Sequence, residues 1–310
     1  MLVVLAVATI STRSQAAGKG QADSPAPVAR AGGAHAGRLE LLPLVASREV
    51  PLFGHFVKPG GSPDVLPSDA ACPPDMVEVE GDYCPYVEEK CLRWLDPATK
   101  LQCAEFERPA GGQPTCHMKT QHQRFCMDRY EWPNKVGAMP LYMASWVEAK
   151  STCESIGKRL CNDTEWTLAC EGPEMQPYPY GAGYARDDAA CNIDKPYIWP
   201  HPEKVYDPRT SAEELARLDQ REPSGSRSSC VSPYGVHDMT GNVDEWVNNV
   251  SQFGKPFVSG LKGGYWGPVR TRCRPMTTAH EPTFRYYQIG FRCCDDAHQP
   301  DVGNAPVAAL

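Results

Sequence analysis

The sequence predicts a disulfide-rich domain that mixes short helices with short strands and leaves much of its chain in loops. Three observations predict it. Fourteen cysteines lie between Cys72 and Cys294, with none outside. Two short segments carry helix-capping signals, and each turns a cysteine toward its apolar side. The other apolar runs are brief and separated by turns, in a chain of 310 residues with 26 glycines and 30 prolines.

From the amino terminus, "MLVVLAVATI" followed by Ala16 and Ala17 predicts a secretory signal peptide over residues 1–17, or an apolar segment kept as an anchor. No basic residue precedes the apolar run, and the run is too short to span a bilayer. Residues 18–71 are rich in Ala, Gly, Pro and Ser and read as linker. The folded unit is expected over 72–296, with a loose tail over 297–310. An exported chain suits the cysteine count, because disulfides persist in oxidising compartments. Zinc sites favour paired Cys-x-x-Cys knuckles, and this chain has none.

Within the unit, "SWVEAKSTCESIG" has Ser145 as N-cap and Glu148 three residues on, a capping box. Trp146, Ala149, Cys153 and Ile156 then share one face, and Gly157 supplies the stop. "NDTEWTLACEG" repeats the design, with Asn162, Glu165 and Gly172 in the same roles and Trp166, Ala169 and Cys170 facing inward. "MVEVEGDY", "PFVSGLKGGYW" and "YQIGFRCC" read as strands. The long polar stretch from Pro173 to Ser232 offers one short helix, "SAEELARL". Net charge is −7 without a basic stripe. That argues against nucleic acid, and against any membrane contact beyond the N-terminal segment.

In this order the pieces resemble the formylglycine-generating enzyme family, also called the sulfatase-modifying-factor domain. "DRYEWPN", the paired-helix segment with "GKRL" and "EW", "YPYGAG", "YGVHDMTGNVDEWV" and "GGYW…RTRCR…IGFRC" carry the resemblance over residues 72–296. It implies a C-type-lectin-like α+β fold with little regular secondary structure. It also implies the bridges Cys153–Cys293 and Cys170–Cys273. Neighbouring strand residues point to opposite faces, so Cys294 needs another partner, expected in the 72–126 block.

The resemblance implies two calcium sites. One would use Asp238, the carbonyls of Gly241 and Val243, and Glu245; a second begins at Asn192 and Ile193. Hard oxygen donors suit Ca²⁺. Read without the family, the first segment is more simply a turn with a solvated Asp and Glu. The family's oxidase holds Cu(I) between two cysteines beyond its Gly-Gly-Ser motif. Here Gly267, Pro268 and Val269 stand where those thiols belong, Tyr265 replaces the serine, and Asp244 replaces a tryptophan. Copper is therefore not expected, and catalytic residues are not assigned. Tyr265, Trp266, Asp244, Arg270 and Arg274 form a candidate pocket for an anion or peptide. Arg272 and Arg292 are expected to pair with core carboxylates, an option that Arg270 and Arg274 share. His117 and His122 miss the spacing that puts two ligands on one helical face. Asn162 and Asn249 begin glycosylation sequons.

Two functions follow. The first is a secreted or periplasmic, calcium-stabilised member that binds a protein, peptide or small molecule without making formylglycine. The alternative is an oxygen-dependent oxidase of substrate-protein cysteine with relocated ligands.

Overall fold

Strand β1 (Met76–Tyr83) buries Val77 and Val79 while Glu78 and Glu80 face out, the period of a half-buried strand. The computed structural model describes residues 70–298, apart from Gln113 and Lys255. The signal segment, and all but the margins of the linker and the tail, lie outside the described residues. Strands β2 (Cys91–Trp94) and β3 (Cys103–Phe106) form a two-stranded arm bridged by Cys91–Cys103. Strand β4 (Gln121–Asp128) pairs antiparallel along all of β1.

Helix α1 (Trp146–Ser155) begins at the predicted capping box: Ser145 Oγ accepts from Glu148 N–H at 3.2 Å, and the Glu148 carboxylate accepts from Ser145 N–H at 2.9 Å. Ala149 and Cys153 are buried, but Ile156 is exposed. The expected four-residue face is thus one residue too long, because Gly157, at φ 80°, ends the helix before Ile156 completes a turn. Strand β5 (Arg159–Leu160) leads into helix α2 (Asp163–Glu171), which is buried along its whole length. The predicted capping box closes on its carboxylate side. Glu165 accepts from Asn162 N–H, while Asn162 Oδ1 takes a bond from Asn248 Nδ2.

The long middle stretch contains helices α3 (Pro202–Val205) and α4 (Ser211–Leu218), the second with the predicted bounds. Strands β6 (Asp244–Asn248), β7 (Ser259–Lys262), β8 (Met276–Thr277), β9 (Ile289–Phe291) and β10 (Cys293–Asp296) follow. One sheet runs β1-β4-β10-β5, the other β8-β7-β6-β9. Arg292 is the single residue between β9 and β10, where the chain leaves one sheet for the other. The result is a mixed α+β domain with few helices and long connections.

All fourteen cysteines are bridged. Cys153–Cys293 and Cys170–Cys273 form as the resemblance implied. Cys294 bonds Cys161, which corrects the expected partner in the 72–126 block. The reason is strand order: β10 lies between β4 and β5, and Cys161 directly follows β5. Cys293 joins the core layer under α1, and Cys294 the one under α2. Cys72–Cys126, Cys84–Cys116 and Cys191–Cys230 complete the set. So many bridges belong to an oxidising, extracytoplasmic compartment. Among the described residues no helix is long and apolar enough to cross a membrane.

Candidate functional site

The centre of the domain is a buried charge network. Arg292 is fully buried and grips Glu245 with two bonds, Nη2 to Oε1 at 2.6 Å and Nε to Oε2 at 2.8 Å. Trp166 Nε1 donates to the same Oε2 at 2.8 Å. Two further guanidinium hydrogens go to the carbonyls of Asp128 and His237. A buried guanidinium needs this degree of satisfaction. Arg292 therefore behaves as the sequence predicted, tying β6 to α2 and to the crossover between the sheets.

Glu131 was not singled out by the sequence, yet it holds the neighbouring loops. Its carboxylate accepts from Val243 N–H at 3.1 Å, Asn242 Nδ2 at 2.7 Å and Ser224 Oγ at 3.1 Å. Burial pushes it well above the usual carboxylate range, and the charges of Asp238 and Glu245 push the same way. Asn242 links it to Asn192, whose Nδ2 donates to Asn242 Oδ1 at 3.1 Å. The two predicted calcium segments thus touch: a Cβ on Gly241 would meet the Asn192 carbonyl at 2.3 Å.

The donor set matches a hard cation in part. Glu131 and Asp238 are buried beside the Glu245–Arg292 pair, and burial pushes both carboxyls up, a cost of ionisation that a divalent ion would offset. Asn192 Oδ1 is buried with no donor, and one oxygen of Asp238 takes Gly225 N–H at 2.7 Å. Glu245 fits least, since Arg292 and Trp166 already occupy both its oxygens. Among the described residues no three His, Cys, Asp or Glu side chains converge as a metal site by themselves. Backbone carbonyls such as those of Gly241 and Val243 would have to complete it.

The wall of the candidate pocket starts at β7. Gly263 and Gly264 sit at φ 89° and 72°, two consecutive left-handed positions that favour glycine. Gly264 N–H donates to Asp244 Oδ1 at 3.2 Å. Burial pushes Asp244 up to about 6, against the opposing pull of Arg270. The Tyr265 ring lies over Gly267 so closely that a Cβ there would meet it at 2.6 Å. The Tyr265 ring therefore occupies the space that a side chain at residue 267 would need.

Beside this wall runs a narrow cleft, about 170 Å³ including space open to solvent, lined by Tyr197, Leu218, Gln220, Tyr265, Trp266 and Tyr287 among others. Arg270 and Arg274 are not among its lining residues. Arg274 pairs with Glu171 at 2.7 Å and donates to the Cys84 carbonyl, while Arg272 pairs with Glu89 at 2.7 Å. A second residue that the sequence did not single out is Lys262, fully buried under the wall. Its amine donates to Thr167 Oγ1 and to the carbonyls of Cys273 and Arg274. Burial pushes it down to about 7, while Asp163 and Glu171 pull the other way. His122 lies between Asp82 and Glu80 on the exposed face of β1 and β4, and His117 packs on Tyr86. The two sequon asparagines are tied into the fold, Asn249 through bonds to the carbonyls of Phe253 and Phe257.

The family model of the sulfatase-modifying factor enzyme 1-like domain matches residues 76–297. The chain belongs to this family. Similar curated proteins are the inactive C-alpha-formylglycine-generating enzyme 2 of Bos taurus, 27% identical over 168 residues, and that of Mus musculus, 27% identical over 169. Each match covers 52% of this chain, and the chain spans about half the length of these relatives, 52% and 51%. Solved structures that resemble the fold include CarF, with TM-score 0.45, 15% identity, and coverage of 72% of this chain and 98% of that one. PvdO from Pseudomonas aeruginosa gives TM-score 0.44, 16% identity, and coverage of 71% and 94%.

Proposed function

We propose that this chain is an exported, partner-binding member of the family that does not generate formylglycine. The observation that carries this reading is that every cysteine is bridged, leaving no thiol beside Gly267–Val269. A linear Cu(I) site needs two thiolates. Tyr265 adds weight, because its ring fills the space where one of them would project. The alternative, an oxidase with relocated ligands, needs a cysteine outside a bridge. Relatives named as inactive enzymes are compatible with the same reading. The test is incubation with Cu(I), oxygen and a peptide carrying Cys-x-Pro-x-Arg, followed by mass spectrometry. The peptide cysteine is expected to survive unchanged; its conversion to an aldehyde would sink the proposal.

Calcium is proposed as a structural ion at the Asp238 segment and at Asn192, supported by the surplus buried carboxylates and the donorless Asn192 Oδ1. Chelation is expected to lower the melting temperature by a few degrees, as loss of a ligand bound only by the folded state does. Asp238→Ala should remove that sensitivity. Identical melting curves with and without chelator would count against the ion.

A further inference from the structure

The seven bridges differ in what surrounds their sulfurs. Cys153–Cys293, Cys161–Cys294, Cys170–Cys273 and Cys191–Cys230 are buried at both ends, inside the apolar clusters of the core. Each bridge of the first block has one buried end, at Cys126, Cys84 or Cys103, and one half-buried end, at Cys72, Cys116 or Cys91. Thiol–disulfide exchange begins when a thiolate reaches a sulfur, so access sorts these bridges first.

Two of the three half-buried ends are held by their surroundings. Cys91 sits in β2, paired with Phe106 and packed against the cluster of Tyr178 and Tyr180. Cys72 follows Ala71, whose carbonyl accepts from His298 N–H at 2.9 Å. Cys116 lies outside every strand. It makes one isolated bridge, to Val87, and its neighbours Thr115, His117, Met118 and Lys119 are exposed.

The Cys84–Cys116 bridge is also redundant as a tie. It sits just beyond the end of the β1–β4 ladder, where Tyr83 pairs with Gln121. The ladder closes a loop that already contains this one, so opening the bridge leaves the fold fastened. Charge favours the exchange. Lys119 is exposed close to Cys116, and Arg274 Nη1 donates to the Cys84 carbonyl at 3.0 Å. Positive neighbours stabilise thiolates, the attacking one at Cys116 and the leaving one at Cys84. Burial of Cys84 works against the second, so net opening needs a reagent that completes the reduction before the bridge recloses.

We propose that Cys84–Cys116 is an exchange site for an external dithiol, opened and closed in the folded protein while the four core bridges stay shut. One thiolate of the dithiol bonds Cys116 Sγ, the Sγ–Sγ bond breaks, and Cys84 Sγ leaves with the electron pair and takes up a proton. The second thiolate of the dithiol then attacks its own partner sulfur in the mixed disulfide and releases Cys116. The dithiol ends as a disulfide, and both cysteines end as thiols. The tie between Val87 and the Cys116 segment is thereby loosened. This site is independent of the partner-binding reading above.

The test treats the oxidised protein with dithiothreitol, without denaturant, and traps thiols at intervals with iodoacetamide for peptide mass mapping. Cys84 and Cys116 are expected to be labelled together, at least about tenfold faster than any cysteine of the four core bridges. The near-ultraviolet circular dichroism should be unchanged at that stage. The double variant Cys84→Ser, Cys116→Ser should keep that spectrum, because the ladder still closes the loop. Labelling of Cys91 and Cys103, or of Cys72 and Cys126, ahead of this pair would overturn the proposal. So would labelling of all seven bridges in step with loss of the spectrum, which is reduction of an unfolding chain.

Discussion

The frame around Arg292 and the wall around Tyr265 lie side by side, yet they are built on different terms. In the frame each polar atom of Arg292 and Glu245 has a partner, and each partner comes from a different element: α2, β4, β6 and the loop at His237. In the wall one contact is local, Tyr265 over Gly267, while Gly264 N–H reaches Asp244 on β6 by a single bond. A change in the frame strands a buried charge. A change in the wall can be matched by another change two residues away.

The sharpest way to break this contrast is Arg292→Met. It leaves Glu245 buried without its cation, a loss expected to cost about 3–5 kcal/mol. Denaturant unfolding should show the loss, or the variant should fail to accumulate. A cost below about 1 kcal/mol would mean that the frame is no stiffer than the wall.

The wall is tested by Gly267→Cys. Alone, the new Cβ meets the Tyr265 ring and should destabilise by about 1–3 kcal/mol. Combined with Tyr265→Ser, the two changes should be less costly than their sum by at least about 0.5 kcal/mol. Strict additivity would show that ring and glycine are independent.

A further test is a pH dependence. The Lys262 amine releases its proton near pH 7 when folded, against an ordinary value of 10.5. Between those values the unfolded chain binds more protons, so stability relative to Lys262→Met should rise with pH from about 7 toward 10. A flat difference across that range would place the folded value near the ordinary one.

Local rules carried a good part of the architecture. The bounds of β1 and α4 are legible because each is a short periodic run closed by turn residues. Cys153 and Cys170 were readable as inward-facing because caps fixed the phase of their helices. Long-range partners were not readable in the same way. Glu131 sits in "RYEWPN" as any surface glutamate would, and Lys262 in "GLKGG" looks like a solvent-facing strand residue. Their burial is set by loops far away in sequence, at Ser224, Asn242 and Cys273. Cys294 was read correctly as needing a partner other than its neighbour's. The choice of Cys161 required the strand order, which spacing does not encode. The cleft shows the same limit: Tyr265 and Trp266 were visible as a pair, but Tyr197 reaches them from the long polar stretch between Pro173 and Ser232.

Bridge connectivity also orders the chain's assembly in time. Cys72–Cys126, Cys84–Cys116 and Cys91–Cys103 close entirely within the first block of the domain. Cys170 waits for Cys273, and both Cys153 and Cys161 wait for the neighbouring pair Cys293 and Cys294. During synthesis the amino-terminal block can lock while the rest is still being made. Helix α1, by contrast, stays unfastened until the last strand emerges, and α2 until Cys273 does. A chain stopped just short of Cys293 would therefore present two thiols without partners, Cys153 and Cys161, in an oxidising compartment, open to mispairing, which makes the final few residues of the domain its completion signal.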